Sequence, residues 1–529
     1  MTPRALLTLA LGDFRYRARR PAYAMTLLAA VGLGALAVPA VGTRWSVLNL
    51  GDYRGVYNSA YVGWSTALAG ALWLTLAGFY VVRGAVARDE STGVGRLLAT
   101  TPLRSTAYLA AKFLGNLAVL GSMAAALAGT ALVLQLTRGE STDVDPVALL
   151  TPYLLVTLPL LAVTAGAALL VETVPGLRGG LGNALWFFVA LAVALGGQSP
   201  TAPLGGLGVR PFVASMRDAL VARNVDLSDA EFSLGLTSRA HPLQTVQWNG
   251  MGVDPTFAAD RLLLVLVAVL LALLPAFWFH RFDPSRGAAP LRLTDPAPEP
   301  LAAPVPHRPA PPYTALTPLP QAAVVPGRTF GRLLAGEVRI LLQGLPRWCW
   351  LLLAALVLPA LVLPYPAGTR GVLLLAWLLP LLLWSRLGTQ REEYGVDTLL
   401  GAYPAPRGRV LAEWAAGVVL SALTGAGPAV RIVLAADWPM LASWVGGALF
   451  VPALGLALGL VSRSHRLFQM LYPPLWYLVL NGTAALDFMG VVRRHGHLAG
   501  PGPLAVTALT AALLAVALVA DSARRTVRR

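Results

Sequence analysis

The 529-residue chain has one lysine, one cysteine, six histidines and a charged fraction of only 12%. Each scarcity removes a class of protein. The single cysteine, Cys349, sits inside an apolar run, so neither an internal disulfide nor a thiolate metal site can form. The histidines are scattered; His495 and His497, at i and i+2, are a weak metal signal. A phosphate-cradling loop needs Gly-x-x-x-x-Gly-Lys-Ser/Thr. The only lysine, Lys112, is followed by Phe113, so this chain encodes no ATPase. The stretch Leu195-Gly196-Gly197-Gln198-Ser199 imitates a transporter-ATPase signature but ends an apolar run, and is read as coincidence. Soluble proteins are about 25% charged and about 45–50% apolar. Here the apolar share is 56% and the mean hydropathy +0.64, too little polar surface for water-soluble domains.

The apolar excess lies in runs of about 20 residues, the length that crosses a hydrocarbon core of about 30 Å. Twelve windows are expected to be helices. In the first half they are 23–41, 60–82, 113–136, 147–171, 182–197 and 261–280. In the second they are 348–365, 371–387, 413–435, 438–462, 467–486 and 502–520. The fold expected is therefore an all-α polytopic membrane protein with about 12 transmembrane helices. No cleaved signal peptide is expected, since no small-residue cleavage site follows the basic first 22 residues.

The net charge of +16 does not form a nucleic-acid stripe; the basic residues lie in the gaps between apolar runs. With both termini placed in the cytoplasm, 29 basic residues fall inside and 12 outside, five of those in one long segment. The acidic stretch Gly139-Glu140-Ser141-Thr142-Asp143-Val144-Asp145 then falls outside, and Arg524, Arg525, Arg528 and Arg529 inside. This orientation is the topology expected.

Thirteen of the 41 prolines lie between 281 and 327, a composition that favours extended, semi-rigid backbone. The expected organisation is a first six-span half at 1–280, a cytoplasmic linker at 281–327 and a second half at 328–529. The halves also echo each other. Gly12-Asp13-Phe14-Arg15 precedes the first window, and Gly336-Glu337-Val338-Arg339 precedes the seventh. Arg88, Glu90, Gly93, Leu97, Leu98 and Pro102 follow the second window; Arg391, Glu393, Gly395, Leu399, Leu400 and Pro404 follow the eighth. From the glycine onward the spacing is identical. Both copies follow an even-numbered span, so the repeat is parallel, not inverted.

Each repeated element carries a short amphipathic piece between glycine and proline. The glycine releases the chain from the preceding helix and the proline ends the short one. A leucine pair with charges beside it suits a membrane surface or a groove on another protein. The stretches 6–19 and 330–342 read as amphipathic helices lying in the interface plane.

This combination of interfacial helix, acidic-x-x-Gly-x-x-x-Leu-Leu-x-x-x-Pro loop and six spans resembles the type-2 exporter permeases of ATP-binding-cassette transporters, once per half. The resemblance implies that the interfacial stretches are elbow helices. It also implies that the twelve residues of the repeated loop dock on separate ATPase subunits, two copies in all, which hold ATP and Mg. By that resemblance the chain is not itself an enzyme, holds no cofactor, and sits in a bacterial plasma membrane. Its substrate is an unspecified small molecule, lipid or peptide. Fusion of both halves into one chain departs from the family's commoner one-unit form.

Rival readings are a twelve-span secondary carrier, a membrane-embedded enzyme acting on lipid, which would need convergent acid, base or metal groups that the sequence does not show, or a non-transporting membrane assembly subunit. The carrier predicts Gly-x-x-x-Asp-Arg-x-Gly-Arg loops after spans 2 and 8, which are absent, and ion relays within spans that hold almost no ionisable residue. Glu172, Glu413, Arg431 and Asp487 sit near span ends and read as anchors. Asn116, Gln135 and Asn481 read as hydrogen-bonding groups between helices. The external segment 198–260 is expected to hold an amphipathic helix at 211–224, with Phe212, Met216, Leu220 and Val221 at helical spacing, and a turn at 248–251. That segment reads either as an exit gate or as a simple insertion.

Overall fold

The computed structural model describes residues 3–19, 21–43, 45–199, 201–225, 232–238, 241–279, 282, 329–343, 347–390 and 406–528. Arg391, Glu393, Gly395, Leu399, Leu400 and Pro404 lie outside the described residues, as does the linker apart from Phe282. The chain divides into two compact units, Met1–Gly287 and Ala288–Arg529.

In the first unit, α1 (Pro3–Ala18) and α2 (Pro21–Ala37) lead to α3 (Ser59–Val82), α4 (Ala85–Ser91) and α5 (Val94–Ala99). The long α6 (Ser105–Arg138) is central, and α1, α2, α3 and α8 (Leu158–Thr173) all pack on it. α7 (Pro146–Pro152) joins α8 through one π turn at Tyr153–Thr157. Pro159 has no N–H to offer the α-helical ladder, and the register loosens just before it. α9 (Gly180–Gly196), α10 (Val209–Val221) and α11 (Pro255–Leu273) complete the helices; α11 runs into a 3₁₀ turn, Leu274–Phe277. Gly166 lets α8 approach α11 closely, because a Cβ there would lie 2.5 Å from the Ala268 carbonyl.

The segment 198–260, expected to be external, belongs to a larger piece. Residues 45–55 join it, forming with later residues a mixed sheet of β1 (Trp45–Leu50), β2 (Tyr53–Gly55), β3 (Phe232–Ser238) and β4 (Gln244–Val246) in the order β3-β1-β2-β4. β1 pairs antiparallel with β2 and β3, and β2 pairs parallel with β4. α10 buries Phe212, Met216 and Leu220 against Tyr61, Trp64 and Trp248, whereas Val221 faces outward at 60% exposure. Val221 follows Leu220 by one residue, which turns it about 100° from the apolar face. Residues 248–251, expected as a turn, are irregular chain instead: Trp248 is buried, its indole donates to Ser215 (3.0 Å), and Gly250 takes a φ of +98°. Arg54 and Glu140 close the piece with two bonds of 2.8 Å.

In the second unit, α12 (Thr329–Leu342) packs on α16 (Pro406–Thr424), with Arg409 bonded to Glu337 at 3.3 Å. Between them lie α13 (Arg347–Val362), α14 (Ala367–Leu378) and α15 (Leu381–Trp384). α16 bends by 61° into α17 (Ala426–Leu434) at Gly425. α18 (Trp438–Ser462) packs against α20 (Pro503–Arg528) and α19 (His465–Leu480), with a small hairpin, β5 (Arg493–Arg494) and β6 (His497–Leu498), between the last two helices.

All twelve apolar windows coincide with a helix or a broken pair of helices. Among the described residues six helices are long and apolar enough to cross a membrane: Ser59–Ser91, Ser105–Arg138, Pro146–Thr173, Pro255–Phe277, Trp438–Ser462 and Pro503–Ala523; the pair bent at Gly425 makes a seventh if it is counted as one span. The chain is thus a multi-pass membrane protein. The remaining apolar helices are shorter, such as Gly180–Gly196 and Ala367–Leu378, or broken by proline.

Candidate functional site

The predicted docking residues of the first repeat lie on α4, α5 and the turn between them. α4 begins at Gly84 (φ +97°), where its first N–H groups, from Ala85 (3.1 Å) and Val86 (2.9 Å), are held by the carboxylate of Glu172. That carboxylate is buried and serves as the helix's missing cap. Gly93 ends α4 with a φ of +76°, a conformation that favours glycine, and α5 begins immediately after it. α5 stops at Thr100, two residues before Pro102.

The six residues separate into three roles. Glu90, Leu97 and Pro102 face outward, Leu97 at 69% exposure. Leu98 turns sideways into a groove, and Gly93 makes the turn. Arg88 points inward. Its guanidinium bonds Asp13 of α1 and reaches Asp89 at 3.2 Å, with Tyr16 stacked 4.7 Å from its centre.

Arg88 belongs to a buried charge cluster. The lone lysine, Lys112 of α6, bonds Asp13 at 3.0 Å and Asp89 at 2.7 Å and is only 3% exposed. Arg17 bonds Asp13 at 3.1 Å, donates to Asn116 Oδ1 at 2.8 Å and to the Val82 carbonyl at 3.2 Å. The Tyr108 hydroxyl donates to Asp89 at 2.9 Å. Three cations and two carboxylates therefore tie α1, the α3–α4 junction and α6 into one body. Burial pushes the Asp13 carboxyl up, but Lys112, Arg17 and Arg88 outweigh it and hold the group below its ordinary value of 3.8.

Above this floor lies an open groove of about 1080 Å³ between α1 and the α5 segment. Ala5, Leu9, Val94, Leu98, Pro102 and Leu103 give it apolar walls, and Asp13, Arg88, Asp89 and Lys112 line its base. Such an arrangement has no nucleophile paired with a base, and no group of three or more metal-ligating side chains occurs among the described residues. What it can do is fix α4, from which α5 follows directly, to α1 and α6 while Leu97 stays exposed.

Sequence reasoning gave Arg88, Glu90, Gly93, Leu97, Leu98 and Pro102 but not Asp13, Arg17, Asp89, Tyr108 or Lys112. Two signals pointed toward them: Gly12-Asp13 recurs as Gly336-Glu337, and a single lysine among 40 arginines stands out. Neither reveals that residues 13, 88 and 112 meet. Other singled-out polar residues have structural partners. Gln135 accepts from Ser59 (2.9 Å), Asp487 accepts four backbone N–H groups from 489–492, and Glu413 accepts from the Gly388 N–H.

No protein-family profile, curated protein or solved structure matches the chain.

Proposed function

We propose that this protein is the transmembrane permease of an ATP-binding-cassette exporter, with both six-span halves on one chain and ATP hydrolysis on separate ATPase subunits. The observation that carries the reading is the form of α4–α5. A short helix, set between Gly93 and Pro102, offers an exposed Leu97, and a buried ion cluster fixes the helix just before it, α4, to α1 and α6. A membrane-surface loop has no need of such a clamp. A lever that must pass force from a partner to the spans does, because an element that yields dissipates the displacement. The second unit supports the same reading from its own residues: its amphipathic α12 is fixed to α16 by a Glu337–Arg409 pair.

In this mechanism ATP and Mg, bound on the partner, supply the free energy. Leu97, Glu90 and Arg96 form the contact face, and Arg88, Asp13 and Lys112 keep that face at a fixed height over the spans. Movement of α4–α5 is carried into α3 and α6, and substrate leaves by alternating access. The resemblance to exporter permeases implies a bacterial plasma membrane, and the distribution of arginine favours both termini in the cytoplasm.

The test is purification of the tagged full chain from its native membrane, followed by ATP hydrolysis by the complex. Wild type should bring down a nucleotide-hydrolysing subunit, and Leu97→Asp should lose it while the permease remains folded. A wild-type complex without nucleotide hydrolysis, or an L97D complex that hydrolyses normally, refutes the reading.

A further inference from the structure

The opposite face of α5 is also occupied. Gly95, in the middle of the helix, is buried, and a Cβ built there would lie 2.7 Å from Cγ of Phe282 and 2.8 Å from its Cδ2. Those ring atoms are close to the Phe282 backbone, so a small rotation does not clear them. Phe282 stands edge-on to Tyr108 (centroids 5.9 Å, 87°) and to Phe279 (5.3 Å, 86°). Phe279 in turn stacks on Tyr108 (5.8 Å, 16°), and its carbonyl accepts from Ser105 Oγ at 3.3 Å. Tyr108 is the residue whose hydroxyl binds Asp89. The three rings therefore link the charge cluster, the underside of α5 and the chain that leaves α11.

We propose that Phe279 and Phe282 are positioning residues that clasp the end of α11 and the start of the Pro-rich linker to the docking helix. This rests on the reading of α5 as the docking helix. It adds that the linker does not begin as a free tether: its second residue is seated under Gly95, and displacement of α5 pulls directly on α11. Glycine at 95 follows from the same geometry. A helix position normally favours alanine over glycine, yet here any side chain meets the Phe282 ring.

The experiment is hydrogen exchange on the full chain in lipid nanodiscs, in three variants. Each aromatic pair contributes about 0.5–1.5 kcal/mol beyond burial, so removing the two pairs of Phe282 should speed exchange of the α5 amides about tenfold. Phe282→Ala should show that increase and Phe282→Tyr should restore protection. Gly95→Ala should raise exchange at residues 279–282 even though it favours the helix. Unchanged α5 exchange in F282A, or unchanged exchange at 279–282 in G95A, overturns the clasp. Leu97→Asp serves as the separate arm, since Leu97 faces away from the rings. Its exchange pattern at 279–282 should match wild type while ATPase binding is lost. If L97D keeps the ATPase but F282A loosens α5, docking by α5 fails and the clasp stands.

Discussion

Removal of a single charge from the α1–α4–α6 cluster should not cost the same at every position. Asp13 is in contact with all three cations, and Lys112 with both carboxylates. Asp13→Asn leaves Arg17, Arg88 and Lys112 around one remaining carboxylate, Asp89. An uncompensated buried charge costs about 3–5 kcal/mol. Lys112→Met instead leaves two carboxylates with two arginines, and Asp89 keeps Arg88 and the Tyr108 hydroxyl. Two charge-assisted bonds of about 1.5–3 kcal/mol each are lost, but the ammonium no longer has to be desolvated, so the net cost should be about 2 kcal/mol. At about 2–4 °C per kcal/mol, K112M should lower the unfolding temperature by about 4–8 °C and D13N by about 10 °C. The double variant should fall short of the sum by at least about 1 kcal/mol, because each change removes a partner that the other needs. Thermal unfolding of the four proteins in one detergent, followed by tryptophan fluorescence, measures the order. Equal losses in D13N and K112M, or an additive double variant, would refute the view that Asp13 is the hub.

Acid should act through the same group. Asp13, Glu140 and Asp437 are all held below their ordinary values: burial raises Asp13 and Asp437, but their cationic and hydrogen-bonding partners outweigh it, and hydrogen bonding from Arg54 dominates at Glu140. A depressed carboxyl stabilises the fold above its unfolded pKa, about 4, and the contribution is lost as pH falls through the folded pKa. Unfolding temperature should therefore drop below about pH 4, and less so in D13N; an identical acid profile in D13N would exclude Asp13. In the sheet-bearing piece, Glu140→Gln keeps one acceptor oxygen but sets an amide NH2 against the Arg54 guanidinium, so one of the two Arg54 bonds and the charge are lost, for an expected loss of about 1–2 kcal/mol; limited proteolysis near residues 52–55 reports it. In the second unit, Asp487→Ala strands four backbone donors at 489–492 and should cost about 2–4 kcal/mol, with faster exchange confined to that loop.

The helices were legible because a membrane demands one thing of sequence, an unbroken apolar length, and the twelve windows supply it locally. Their ends were less so. The window at 23–41 overran because Val38-Pro39-Ala40-Val41 is apolar, whereas the helix stops at Ala37 before Pro39. The window at 371–387 was drawn as one run, yet Pro380 divides it into α14 and α15. The sheet escaped altogether. β1 is six residues and β2 and β4 three each, and β1 pairs with β3 about 185 residues away, so no local pattern announces the pairing.

The site followed the same division for a sharper reason. Gly93 and Pro102 are punctuation, and punctuation acts within a few residues, so α5 could be read from the sequence alone. The cluster under it is tertiary: positions 13, 88 and 112 come from three helices, and nothing in their spacing fixes their meeting. Even Arg88, which the repeat singled out for a partner, is turned inward to Asp13. A repeated charge in a repeated loop can serve the loop's own rigidity as readily as its contact face. The sequence pattern alone could not distinguish the two, because both require the same residue at the same distance from the glycine. What separates them is exposure: the Leu97 side chain is exposed, whereas Arg88 and Lys112 are paired with Asp13 and Asp89. Substitutions at Leu97 should therefore change partner affinity with the fold intact, and substitutions at Lys112 should change the fold first and affinity only through it.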